Sequence, residues 1–302
     1  MLRRTSKRVK EVVDKMRLPA VVRLSRSFWG DARNGAEEAK LQFVLRQLAA
    51  MTALCRITTL ELPKCEIIGQ DAERLAGVLG QCPALAHLDL SGNSNFGAAG
   101  AERLAGVLGQ CRDLVHLNLE GNYIGAAGAE RLTGVLGQCT ALAHLILSDN
   151  QIGPAGVESL GGVLRQCPAL VHLNLNYNQI GQAAAESLAG VLAQCTALAH
   201  LILRFNQVGS AGAESLAGVL AQCPALAHLD LCNNPIGPAG AESLVGVLPQ
   251  CTALAHLDLS DNQIGPGGAE RLAGVLGQCP ALAHLNLRAN DFGTVGEERL
   301  RA

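Results

Sequence analysis

The chain has 302 residues, 49% of them apolar but only 3% aromatic, and a formal charge of −2. A core drawn from this composition must be small aliphatics, and no apolar run is long enough to span a membrane. No apolar stretch follows the N-terminal charges, so no signal peptide is expected. The eleven cysteines include no C-x-x-C pair, and there is no N-x-[ST] sequon. They read as reduced thiols of a protein in the cytoplasm or nucleus.

The charge is unevenly placed. Residues 1–33 hold ten Lys/Arg against three acids, and the rest of the chain fourteen against twenty-three. Val9, Val12, Val13 and Met16 share one helical face among the basic residues, and Pro19 ends the pattern. Residues 1–34 are therefore expected to be a basic segment, partly helical or disordered. A solvated cap, nuclear targeting, contact with an anionic membrane and contact with nucleic acid remain open for it. Arg3–Arg4–Thr5–Ser6 has the form of a basophilic kinase site. Val21–Leu24 reads as an imperfect strand. Ala36–Ala50 reads as a helix with Leu41, Val44, Leu45 and Leu48 on one face, so residues 35–56 are expected to form an N-terminal cap.

From residue 57 to residue 302 one unit recurs. CPALAHLDLSGN, Cys82 to Asn93, returns from Cys111, Cys139, Cys167, Cys195, Cys223, Cys251 and Cys279. The period is 28 residues, except for the step from Cys82 to Cys111, whose extra residue lies in Ser94–Asn95–Phe96. Leu117 and Leu119 are two apart, which is strand spacing. Leu132, Val135 and Leu136 fall at i, i+3 and i+4, one face of a helix. Neither element can bury its apolar side alone, so the units must stack. The predicted fold is an α/β right-handed solenoid, a horseshoe with a parallel β-sheet on its concave face and α-helices on its convex face. Nine strand motifs are visible, the first at Ile57–Cys65. The mid-helix glycines Gly106, Gly134, Gly162, Gly190, Gly218, Gly246 and Gly274 each lower helix propensity by roughly 1 kcal/mol. Close approach of the helix to a neighbour is the expected reason for them. The last unit ends in a short EERLRA after Asn290 and Phe292, with its helix cut short.

A 28-residue unit with L-x-x-L-x-L-x-x-N followed by I-G-x-x-G-A-E-x-L-x-G-V-L resembles the ribonuclease-inhibitor-like leucine-rich repeats. Its wording is most similar to the repeat arms of NOD-like receptors, over about residues 57–292. The resemblance implies a protein-binding surface and no cofactor. The nucleotide-binding domain of such receptors is absent here, since there is no G-x-x-x-x-G-K-[ST]. Asp291–Phe292–Gly293 spells a kinase motif by accident, because it aligns with Gln263–Ile264–Gly265 of the preceding repeat.

The eight histidines, His87 to His284, occupy one strand position. They are expected to form an outward ladder with neighbours about 5 Å apart. A ladder with no third ligand reads as structural, with adventitious metal binding as the alternative. Asn122, Asn150, Asn178, Asn206, Asn234 and Asn262 follow their strands and are expected to satisfy backbone groups there, as the resemblance also implies. The cysteine column is expected to be buried, with Cys232 and Cys65 the more reactive thiols.

Identity must come from the columns that vary. Tyr177 and Phe205 occupy one column in adjacent repeats, beside Arg204, and Tyr and Arg are common interface anchors. Tyr123, Asn176, Tyr177, Arg204, Phe205 and Asn233 are therefore the candidate partner-binding residues, with drift of a surface column as the alternative. The surrounding positions are mostly acidic, which favours a protein partner with a neutral-to-basic surface. No catalytic constellation stands out. A non-enzymatic interaction scaffold or sensor arm is the leading expectation. A regulator of an enzyme, such as a small-GTPase activator or an inhibitor protein of the same repeat class, is the alternative. Recruitment to nucleic acid or a membrane would fall to residues 1–33.

Overall fold

A computed structural model describes residues 20–24, 57–279 and 281–301. The expected helices at Val9–Met16 and Ala36–Ala50 lie outside those residues. The imperfect strand expected at Val21–Leu24 is present one residue earlier, as β1 (Ala20–Arg23). It pairs in parallel with β2 (Ile57–Glu61) through one register irregularity between Ala20 and Val21.

The remaining strands are three residues long and each opens on a histidine. They are β3 (His87–Asp89), β4 (His116–Asn118), β5 (His144–Ile146), β6 (His172–Asn174), β7 (His200–Ile202), β8 (His228–Asp230), β9 (His256–Asp258) and β10 (His284–Asn286). All ten described strands form one sheet in chain order, and every pair is parallel. From β2 onward register is kept, so that His116 faces His144 and Leu117 faces Leu145. Columns of the repeat in the sequence thus become rows of touching side chains in space.

From β2 onward each crossover is a helix: α1 (Gly69–Leu79), α2 (Gly97–Leu108), α3 (Gly125–Leu136), α4 (Gly153–Leu164), α5 (Gly181–Leu192), α6 (Gly209–Leu220), α7 (Gly237–Val247), α8 (Gly265–Leu276) and, after β10, α9 (Gly293–Arg301). Pro249 lies in the 3-10 turn Leu248–Gln250, and α7 stops at Val247 where its neighbours continue to leucine. The helices are wider than the spacing of about 4.8 Å between strands, so the stack curves with its sheet inward.

The core is a row of leucines from the strands against leucines from the helices. Leu117, Leu119, Leu132 and Leu136 are fully buried, and their equivalents repeat along the array. Helices meet through small side chains. A Cβ added at Gly128 would lie 3.0 Å from the Ala101 Cβ of the helix before, and one at Gly240 would lie 3.0 Å from the Ala213 Cβ. This Ala-to-Gly seam near the helix N-termini explains a core with so few aromatics. The mid-helix glycines do otherwise than expected. A Cβ at Gly106, Gly134, Gly162, Gly190, Gly218, Gly246 or Gly274 would meet nothing within 4 Å. They lie on the outer side of the helices, and close packing does not account for them.

The cysteine column sits in the turn before each strand. Cys82, Cys111, Cys139, Cys167, Cys195 and Cys223 are buried. Several thiols point at a carbonyl, as Cys139 does to Leu108 O of the previous repeat at 3.5 Å. Cys65 and Cys232, expected to be the reactive ones, are also buried, whereas Cys251 and Cys279 are partly exposed. The latter two lie in the last two described repeats.

Candidate functional site on the concave face

Leucines 88 and 90 and their equivalents point into the core, so strand alternation turns the histidine column outward. The rings form one continuous row. Neighbouring centroids are 4.1 Å apart at His87–His116 and 4.4 Å at His256–His284, where the rings stack. Between these ends they lie 5.6–5.8 Å apart with tilts of 31–36°. Burial between neighbours, aided by the adjacent imidazoles, holds His116 down to about 4. The same two causes lower His172 and His228. These three imidazoles are therefore neutral at pH 7. Among the described residues no group of three or more His, Cys, Asp or Glu is placed to hold a metal ion.

The asparagines close the strand ends. The Asn178 amide oxygen accepts from Asn150 N at 3.1 Å and from Ile152 N at 3.2 Å. Its Nδ2 donates to the carbonyls of Leu147, Leu175 and Asn176 at 2.8, 3.0 and 3.0 Å. Asn122, Asn150, Asn206, Asn234 and Asn262 are buried in the same way. One link in this ladder is broken. Asn122 Oδ1 is buried and has no hydrogen-bond partner among the described residues. The inserted residue in the 94–96 loop causes it, because Phe96 N turns back to donate to Asn93 O at 2.8 Å.

The residue before each ladder asparagine takes the left-handed conformation, and so does the residue after most of them, Ser94 and Pro235 being the exceptions. In the preceding column Gly92, Gly121, Asp149, Asn233 and Asp261 suit it, at φ from 53° to 71°. Tyr177 and Phe205 share it, both at φ 54°. Bulky aromatics are poorly suited to that geometry. These two rings stack on one another with centroids 4.3 Å apart and planes within 11°, and Tyr177 remains 50% exposed.

Arg204 borders the pair. Its Cζ lies 5.9 Å from the Phe205 ring centre. Its Nε is 3.6 Å from Asp230 Oδ2, an ion-pair distance rather than a hydrogen bond. Its terminal nitrogen lies 3.6 Å from Cys232 Sγ, and its backbone N–H donates to Asn176 Oδ1 at 2.9 Å. Burial holds the Asp230 carboxyl above its usual range, and neighbouring Asp258 adds to this. Next to Phe205, Asn233 Nδ2 donates to Asp261 Oδ2 at 2.6 Å.

Five of the six sequence-predicted residues thus come together: Asn176, Tyr177, Arg204, Phe205 and Asn233. Tyr123 does not join them. It is 50% exposed in the column after the asparagines, two repeats from Tyr177.

The Leucine Rich repeat profile matches residues 81–105, 110–132, 138–161, 166–189, 194–217, 222–245 and 250–273. Together these segments make up more than half of the chain. The protein belongs to the leucine-rich-repeat family. Comparison with curated proteins gave no match. Leucine-rich repeats are in general non-enzymatic protein-interaction modules, and no described helix of this one is long and apolar enough to cross a membrane.

Within this leucine-rich-repeat protein, the supporting residues are not legible in the sequence. Asp230 and Cys232 hold Arg204 in place, and Asp149 occupies the aromatic column one repeat earlier. By sequence Asp230 is only one member of an acidic column. Its partner lies 26 residues away, so only the strand register brings the two together.

Proposed function

We propose that the protein is a docking scaffold whose partner-binding surface centres on Tyr177, Arg204 and Phe205, with Asn176 and Asn233 beside them. The observation that carries this reading is the placing of two stacked aromatics at left-handed positions. Each has a backbone cost of about 1–2 kcal/mol, and Tyr177 leaves half its surface in water. Stability alone would favour Gly, Asn or Asp there, as most other repeats have. The rim is rich in carboxylates, which fits a neutral-to-basic protein surface. Helical crossovers and the 28-residue period support the ribonuclease-inhibitor-like subtype, with a role like the repeat arm of a NOD-like receptor. Within this reading residues 1–34 form a basic segment, 35–56 a cap helix and 57–302 the repeats of a cytoplasmic or nuclear protein.

The test compares the parent with the triple alanine variant at Tyr177, Arg204 and Phe205. Proteins captured from source cells by the parent are identified, and the affinity of each is measured for both forms. The variant should keep its helical circular dichroism and bind at least ~30-fold more weakly, since anchors are worth ~2 kcal/mol or more. Equal affinity for every captured protein would remove the patch from the docking surface.

A further inference from the structure

The partner's chemistry can be read from the open side of the aromatic pair. Phe205 covers one face of the Tyr177 ring, at 4.3 Å and nearly parallel. The stacking direction runs along the row of repeats, so the other face of Tyr177 looks toward the repeat before. That repeat carries Asp149 in the same column, also left-handed at φ 53° and exposed. The two are locked in adjacent register, since Asp149 N donates to Asn176 O at 2.8 Å and Tyr177 N to Arg204 O at 3.0 Å. Neighbouring units in a parallel sheet lie about 4.8 Å apart. The half-exposed phenol and the Asp149 carboxylate, which has no partner among the described residues, thus flank the step between two adjacent repeats, a notch in the rim. Glu120, one repeat farther along the rim, is exposed as well.

Among the described residues the one cation nearby, Arg204, does not oppose this. Arg204 lies on the far side of the ring pair, against Phe205, and is already engaged by Asp230 at 3.6 Å. The neighbouring carboxylate beyond it, Asp261, is taken by Asn233. What the rim offers to a partner next to Tyr177 is therefore a π face with unneutralised negative charge.

We propose that this notch receives a lysine or arginine side chain from an extended basic protein segment, stacked on Tyr177 and paired with Asp149. The assignment rests on the docking-scaffold reading and narrows it to one partner chemistry. A cation over a tyrosine face is attracted by the ring quadrupole, and a carboxylate beside it supplies the counter-charge.

Alternating Arg-Gly, Lys-Gly and Glu-Gly peptides serve as probes, with binding followed by fluorescence anisotropy at low and physiological salt. Four forms of the full chain are compared: parent, Asp149→Asn, Tyr177→Leu and Asp113→Asn. Asp113 is exposed in a turn away from the notch and controls for loss of one negative charge. Tyr177→Leu keeps apolar bulk and removes the π face. The basic peptides should bind the parent in a salt-sensitive way and lose about three- to tenfold in affinity in Asp149→Asn and in Tyr177→Leu. Asp113→Asn should change little. Three results would overturn the assignment: no binding of either basic peptide, losses in Asp113→Asn that match those in Asp149→Asn, or preferred binding of the Glu-Gly peptide. The last would point to Arg204 and an acidic partner. If the basic peptides fail while the triple alanine variant still loses its partners, the scaffold reading stands and the notch falls.

Discussion

Asn178 makes five hydrogen bonds with one amide. Replacing it by alanine strands two backbone N–H groups and removes donors from three carbonyls, all in a buried strip. Asn122 differs in one respect, because its amide oxygen has no partner to lose. Asn122→Ala should therefore destabilise the protein by about 2 kcal/mol less than Asn178→Ala, at ~1 kcal/mol for each stranded donor. Urea unfolding of the two variants checks this, and equal losses would show that the two acceptor bonds contribute nothing. The cysteines give a second residue-scale expectation. Burial raises the Cys139, Cys167 and Cys223 thiols to about 11, and a thiol neither ionised nor exposed does not react. Alkylation of the native protein followed by peptide mapping should label Cys251 and Cys279 before any other described cysteine. Early labelling of Cys139 or Cys167 would mean that the repeats open readily. The reactive positions could not be read from the sequence, where all eight column cysteines look alike. What separates them is how far the neighbouring repeats cover each one, and a motif does not carry that.

At the scale of the helix, two glycine columns look equally unfavourable in sequence but occupy opposite surroundings. The mid-helix column faces open space. Alanine at Gly134, Gly190 or Gly218 should therefore stabilise the protein by up to about 1 kcal/mol each through helix propensity and reduced unfolded-state freedom. The seam column is filled: a Cβ at Gly128 would sit within contact-forbidden distance of the Ile124 side chain and 3.2 Å from Ala98 Cα. Gly128→Ala should destabilise, since a close-packed core resists even one methyl. Thermal unfolding of the two sets of variants tests both signs. A destabilising Gly134→Ala would mean that the outer helix face is covered by something other than water. Strand–helix alternation was legible from periods of 2 and 3.6. Which glycine column forms the seam was not, because that depends on the neighbouring repeat's alanines and not on either column by itself.

Across the whole molecule, the histidine row sets the response to acid. Well above about pH 6.5 the imidazoles of the unfolded chain are neutral, and so are His116, His172 and His228 in the folded one. Below it the unfolded chain takes up protons, while His116 resists until about 4, and His172 and His228 are also held down. The unfolded state then binds more protons, so stability should fall as pH drops from about 6.5 toward 4. Burial is the first cause of the lowered values and mutual repulsion the second. Asp89 beside His116 weakens the effect. Asp230 acts in the opposite direction: its folded carboxyl is raised, so its contribution is largest in acid and is lost as pH rises. Denaturant unfolding at several pH values should show a shallower acid loss when His116, His172 and His228 are replaced by Gln. The same slope in both forms would exclude the row as the cause.

The repeat length, the strand and helix within each unit, the direction each strand residue faces and the buried asparagine ladder were all determined by the sequence itself. These are local periodicities multiplied by identical stacking, and they leave the chain one way to bury its leucines. The tertiary structure alone decided which residues of different columns touch, as where Arg204 meets Asp230 across 26 residues of chain. The break at Asn122 Oδ1, which follows from the inserted residue in the repeat before, and the exposure of Cys251 and Cys279 likewise depend on what neighbouring repeats supply. A repeat fixes its own conformation through short-range sterics and hydrogen bonds. Its surroundings are supplied by its neighbours, and an inserted residue or fewer covering repeats changes them without changing the motif.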